Sequence, residues 1–239
     1  VELGKETEFV YQLRAEFASS ATPGFDALRI RTGNRATFRR LELGEPPIAV
    51  DPLSVQEEED GLIIQLPTPI RRANNTPIRV VFGAQVFEFA AIFEGEIFTV
   101  NSDVLPQPIV AGDAGEAVST NSLRVLSAAD KASKFIQFIE LSTPVLTPNG
   151  DGINDELEIR YSLFRLPGPV PVALEIYALD GHRLARIEGG LQDSGPRQLR
   201  WDGRDETGQL LEPGLYLFSI ALTTQSTQAR PLQVLGIAY

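Results

Sequence analysis

The chain has 239 residues, 43% of them apolar, with no Cys, no Met, one His and a formal net charge of −11. Without cysteine there is no disulfide, thiolate nucleophile or Cys-based zinc site, and so acidic a chain lacks the basic face that phosphate neutralisation requires, which argues against nucleic acid as a partner. No run of 18 apolar residues occurs, so no helical membrane span is expected, while the apolar content suffices for one large β domain or two ordinary ones.

The acidity is spread evenly. Residues 1–141 carry 13 Lys and Arg against 20 Asp and Glu, or −7, and residues 142–239 carry 8 against 12, or −4. A chain that starts at Val1 and lacks Met is expected to be a mature or excised piece of a longer precursor.

Period-two alternation between turn signals recurs along the chain and helical periodicity is nearly absent, which predicts an all-β protein. In the first half, strands are predicted at 7–17, 27–32, 36–43, 61–67, 78–100 (as two strands) and 121–127. Pro23-Gly24, Gly33-Asn34, Pro46-Pro47 and Asn74-Asn75 punctuate them. Phe87, Phe89 and Phe93 share one parity and are expected on an inner face, and the run 56–61, "QEEEDG", reads as a solvated loop. A stretch that is polar and Ala-rich at its start and strand-like at its end then separates the halves: domain one is expected over 1–130, a linker over 131–142 and domain two over 143–239. In the second half, strands are predicted at 155–164, 171–179, 182–188, 197–203, 214–224 and 231–239, with Asp180-Gly181 as a hairpin turn.

The stretch 149–158 crowds Asn149, Asp151, Asn154, Asp155, Glu156 and Glu158 into ten positions. Set against a calcium-loop template from Thr147, ligands fall at Asn149, Asp151, Ile153 (by its carbonyl), Asp155 and Glu158, with Gly152 at the sharp reversal. Hard oxygen donors without His or Cys suit Ca2+. The template's first acid is missing and a strand follows, so this is no EF-hand. The second reading is that Asn149-Gly150 and Asp151-Gly152 build successive Asx turns. A bound cation would rigidify the hinge between the domains.

"TPNGDGINDELEIRYSL", "LEIYALDGHRLARI", "LRWDGRDETGQLLEPGLYLFSIAL" and "LGIAY" in this order resemble the Ig-like C-terminal modules of bacterial secreted and surface proteins, the flagellar hook-capping-protein (FlgD) Ig-like type and gliding-motility-associated C-terminal domains. The resemblance covers roughly 141–239. It implies an Ig-like β-sandwich of structural or export-related role, so that the whole chain is expected as two tandem Ig-like β-sandwich domains. Trp201 reads as a core plug, and Tyr216 and Phe218 as inward-facing residues.

His182 alone cannot anchor zinc, and no Ser-His-Asp arrangement surrounds it. Thirty-two acids give no way to choose a glycosidase pair. The expected function is therefore non-enzymatic: an extracellular or bacterial cell-surface module for structure, anchoring or assembly, with other copies of itself, other surface proteins or glycans as partners. The alternative is a carbohydrate-binding accessory region of a secreted enzyme. The segment 6–17 is long and alternating enough to cap a neighbour's open sheet edge. Deleting residues 1–17 is then expected to abolish oligomers and leave the monomer folded.

Overall fold

The computed structural model describes residues 1–19, 22–115, 121–127, 134–166, 168–223, 228–229 and 231–239. The chain divides into two compact units, Val1–Ala129 and Asp130–Tyr239. Both are β-sandwiches, as the alternation predicts. The point expected from sequence as the end of domain one lies outside the described residues.

In the first unit, β1 (Glu6–Leu13), β3 (Ala36–Leu43), β4 (Ile48–Val50) and β7 (Ile78–Gln85) form an antiparallel sheet in the order β1-β7-β3-β4. The facing sheet, also antiparallel, contains β2 (Phe25–Arg31), β5 (Ser54–Glu58), β6 (Gly61–Ile70), β9 (Glu94–Phe98) and β10 (Gln107–Ile109) in the order β10-β9-β2-β6-β5. A ribbon pairs β8 (Ala90–Ile92) with β11 (Arg124–Leu126). Alternation decides what is buried: Leu62, Ile64 and Leu66 of β6 point inward onto Leu28 and Ile30 of β2, and across to Leu41 and Phe82. Each such side chain contributes about 1.5–3 kcal/mol through the water it leaves.

β7 is nearly continuous in apolar residues because residues of both its faces are buried, Ile78 to Ala84 without a break. Its one charge, buried Arg79, is held on the outer face by Gln12 Oε1 at 2.7 Å and Glu42 at 3.9 Å. Segment 78–100 makes three strands rather than two. The bend at 86–89 between β7 and β8 breaks the expected parity, so Phe87 and Phe93 are buried while Phe89 is 53% exposed. The "QEEEDG" run is likewise no simple loop: its first half is the end of β5, and Glu57 and Glu58 pair with Arg35 and Arg29.

β1 belongs to this unit's own sandwich. It pairs with β7 over eight residues and buries Tyr11 and Leu13. Removing residues 1–17 would therefore open the core rather than spare the monomer, contrary to the sequence expectation.

In the second unit, β12 (Ile136–Leu141), β14 (Leu157–Leu163) and β17 (Gly195–Trp201) form a three-stranded antiparallel sheet in the order β12-β14-β17. β12 occupies half of the span 131–142 expected to be a linker, at its strand-like end. Its alternation, Ile136-Gln-Phe-Ile-Glu-Leu141, is interrupted by a bulge at Phe138, whose φ of +52° turns the side chain outward. The facing sheet contains β13 (Val145–Leu146), β15 (Val170–Tyr177), β16 (Arg183–Gln192), β18 (Gly214–Thr223), β19 (Gln228–Ala229) and β20 (Leu232–Ile237), in the order β13-β20-β18-β15-β16 with β19 on β18. Only β13–β20 is parallel among these described pairings.

The Asp180-Gly181 hairpin forms between β15 and β16. Gly181 takes a φ of +88°, Gly181 N–H donates to Ala178 O at 2.9 Å, and Asp180 Oδ1 accepts from His182 N–H at 3.0 Å. Trp201 is buried in the core with Tyr161, Phe218 and Ile220, and its Nε1–H donates to Arg204 O at 2.8 Å. Phe218 is fully inward, whereas Tyr216 packs at the core's margin with its hydroxyl on Glu212 O.

Candidate functional site

The acidic loop 147–158 leads from β13 into β14, and its conformation follows from its own composition. Gly150 and Gly152 adopt φ of +84° and +83°, and Asn154 also turns left-handed at +54°. Backbone N–H groups thrown inward by these turns meet side-chain acceptors. Asn149 Oδ1 accepts from Asp151 N–H at 3.0 Å and Asp151 Oδ1 from Ile153 N–H at 2.8 Å, two consecutive Asx turns. Asp155 closes the loop with both oxygens, Oδ1 on Gly150 N–H and Oδ2 on Gly152 N–H, each at 2.6 Å. Thr147 clamps the far side, donating its hydroxyl to Ile153 O at 2.9 Å and its N–H to Asn154 O at 2.9 Å.

Of the five positions expected around a cation, Asn149, Asp151 and Asp155 thus gather on the loop's own amides, and the Ile153 carbonyl is engaged by Thr147. Glu158 lies elsewhere. It is on β14 opposite Arg200, and its carboxylate accepts from Arg160 Nε at 2.7 Å and Arg200 Nη2 at 3.1 Å. The Arg160 hydrogen bond, with Arg200 behind it, holds Glu158 below the usual carboxylate range. Among the described residues no group of three or more His, Cys, Asp or Glu could hold a metal ion. The hydrogen bonds described are those of successive Asx turns closed by Asp155.

His182 is exposed at its hairpin turn. Two clusters escaped sequence reading. On β15, Glu175 is 1% exposed, with Oε1 accepting from Arg186 Nη1 at 2.5 Å, Oε2 accepting from Tyr177 O–H at 2.6 Å, and Arg183 3.7 Å away. A lone acid amid the apolar "VALEIYAL" was its only signal, and its pairing supplies the compensation a buried charge requires. The other is a cavity of about 1160 Å³ in the first unit, bordered by the run Phe9–Phe17 and floored by Phe9, Phe82 and Phe93. Those rings pack with centroids 4.9–5.9 Å apart, Phe9 meeting Phe93 edge-on at 81°. At its wall Tyr11, 6% exposed, lays its hydroxyl over Gly95, where a Cβ would come within 2.4 Å. That hydroxyl has no hydrogen-bond partner among the described residues, and burial, with Glu94 nearby, pushes its pKa up to about 12.

The second unit's strand order, its Asp-Gly hairpin and its Trp201 plug agree with one family comparison. Residues 155–226 match the FlgD Ig-like domain. The FlgD Ig-like match runs from just before β14 to just beyond β18, less than half of the whole chain, and leaves the first unit unassigned. No curated protein matches the sequence. Among solved structures, the chain is similar to dimeric latent PorU from Porphyromonas gingivalis, at 11% identity and a TM-score of 0.38 over 99% of this chain and 18% of that one. It is also similar to a β-glucuronidase of Parabacteroides merdae, at 11% identity and a TM-score of 0.30 over 98% of this chain and 29% of that one. The chain thus spans less than a third of either. Among the described residues, no helix is long and apolar enough to cross a membrane.

Proposed function

We propose that the chain is a non-enzymatic structural module of a bacterial extracellular or cell-surface protein, serving anchoring or assembly through contacts with other copies or other surface proteins. The observation that carries this reading is the FlgD Ig-like match over β14 to β18 of the second unit, where the candidate polar groups serve the sandwich's own architecture. Asp151 and Asp155 build turns, Glu158 and Glu175 pair with arginines, and Trp201 fills the core. Function in such a module resides in surfaces rather than in a reacting centre. The loop 147–158 is assigned to fixing the entry of β14, without a cation.

Immunolabelling of intact against lysed cells of the producing bacterium tests the location. Label on intact cells supports the reading; label that appears only after lysis sinks it. A glycan array run in parallel separates the roles, since specific glycan binding would replace anchoring with carbohydrate recognition.

A further inference from the structure

Asn149 is the one asparagine of the chain followed directly by glycine. That pair has a chemistry of its own. Once the Gly150 nitrogen loses its proton, its lone pair can attack Asn149 Cγ, with no side chain on Gly150 to block the approach. A bond forms between Gly150 N and Asn149 Cγ, the Cγ–Nδ2 bond breaks, and Nδ2 leaves as ammonia with the equivalent of the proton that Gly150 released. The product is a five-membered succinimide. Water then opens it at either carbonyl, giving an aspartate at 149 or an isoaspartate whose main chain runs through Cγ. Water is the only co-reactant.

Asn149 and Gly150 are both exposed, and a Cβ built on Gly150 would meet nothing within 4 Å, so hydroxide and water reach the pair. Access alone would let the reaction run, but the loop withholds both reacting groups. Gly150 N–H is donated to Asp155 Oδ1 at 2.6 Å, a charge-assisted bond. A carboxylate is too weak a base to carry that proton off. It holds the proton instead, and its charge disfavours the amide anion that has to form beside it. The carboxylate is itself fixed, because its Oδ2 accepts from Gly152 N–H at 2.6 Å. On the other reacting group, Asn149 Oδ1 accepts from Asp151 N–H at 3.0 Å, which ties the side-chain amide into its turn.

We propose that Asn149-Gly150 is a latent deamidation site and that Asp155 is the lock that keeps it closed. Opening the lock converts a neutral side chain into a carboxylate close to Asp151 and Asp155, and the isoaspartate product lengthens the main chain ahead of β14. Any event that frees Asp155 from the two glycine amides is thereby recorded covalently in the loop. This chemistry is independent of the module's role at the cell surface.

Peptide mapping by mass spectrometry tests it on the full chain, held in mildly alkaline buffer well below its melting temperature, beside a synthetic peptide spanning 147–156. Asn149 should deamidate about tenfold more slowly in the folded chain than in the peptide, and Asp155→Ala should recover most of that difference. Asp155→Asn keeps a neutral acceptor without the charge and should fall between them. Asp151→Ala removes a neighbouring carboxylate but leaves the Gly150 bond to Asp155, and should stay near wild type. Trp201 emission checks that the second unit remains folded in every variant. A wild-type rate equal to that of the peptide, no acceleration in either Asp155 variant, or the same acceleration in Asp151→Ala as in Asp155→Ala would each overturn the lock. Slower deamidation in Asp155→Ala than in wild type would overturn it too, by showing that Asp155 draws the proton off.

Discussion

Tyr161 and Tyr11 show how differently the two sandwiches are finished. Burial pushes both hydroxyls up to about 12. In the second unit Tyr161 donates to Gln192 Oε1 at 2.7 Å, and Trp201 spends its indole N–H on Arg204 O. In the first unit Tyr11 is as buried, yet among the described residues its hydroxyl is unanswered beside a cavity. Both units leave a buried hydroxyl unmet among the described residues, Tyr11 in the first and Ser219 of β18 in the second, so the contrast lies between the two tyrosines, of which only Tyr161 is answered.

The largest expected effect tests whether the second core is the tighter one. Phe218→Ala, at a fully buried site, should cost about 3–5 kcal/mol because transfer and cavity penalties add. Phe93→Ala borders an existing cavity, so its cost should approach the transfer part alone, about 1.5–3 kcal/mol. Calorimetry with Trp201 fluorescence assigning the second unit's transition measures both. Equal costs would erase the distinction between closed and open cores.

Next in size is the tyrosine pair. A folded-state pKa raised above the unfolded value near 10 means that the neutral hydroxyl is favoured by folding. The stability it reflects is fully present below pH 10 and is lost as pH rises through about 12, on the order of 2 kcal/mol for each residue. Melting between pH 9 and 12 should show this in both transitions, and each Tyr→Phe variant should remove it from its own. At pH 7 the two substitutions should diverge: Tyr161→Phe strands the Gln192 carbonyl at about 1–2 kcal/mol, whereas Tyr11→Phe removes an unmet hydroxyl and should be neutral or stabilising. A cost at Tyr11 matching that at Tyr161 would mean its hydroxyl is satisfied in solution.

The same contrast governs what was legible in sequence. Strands such as β2, β3, β14, β15 and β18 were readable because alternation and flanking Gly, Pro and Asp-Gly turns coincide with what their faces bury. β12 falls at the strand-like end of the expected linker, its bulge at left-handed Phe138 having no sequence signal, and Phe89 was misplaced because parity does not survive a bend. Short edge strands β4 and β10, three residues each, carry too few alternations to register, whereas β11 falls within the strand expected at 121–127. At the acidic loop the residues were identifiable but their use was not: Asn and Asp beside Gly suit both a cation and an Asx turn, and Glu158 could be removed from the set only by seeing Arg200 opposite it on β17. The cavity of the first unit had no sequence signal, since which strands border it is a property of strand order.

The acidic loop gives the smallest expected effect and the sharpest choice between its two readings. If Asp155 serves only as a double acceptor for Gly150 and Gly152, Asp155→Ala resembles loss of a helix cap and should cost about 0.5–2 kcal/mol, with Asp155→Asn recovering part of it because one carbonyl oxygen remains. Asp151→Ala, which loses the single bond to Ile153 N–H, should cost less. Calcium should leave the melting temperature of wild type and variants alike unchanged, for a site that uses its oxygens on backbone amides gains nothing from the ion. A rise in the wild-type melting temperature at millimolar calcium, abolished by Asp155→Ala, would show instead that these oxygens turn from the amides to a cation, and the turn assignment would fall with it.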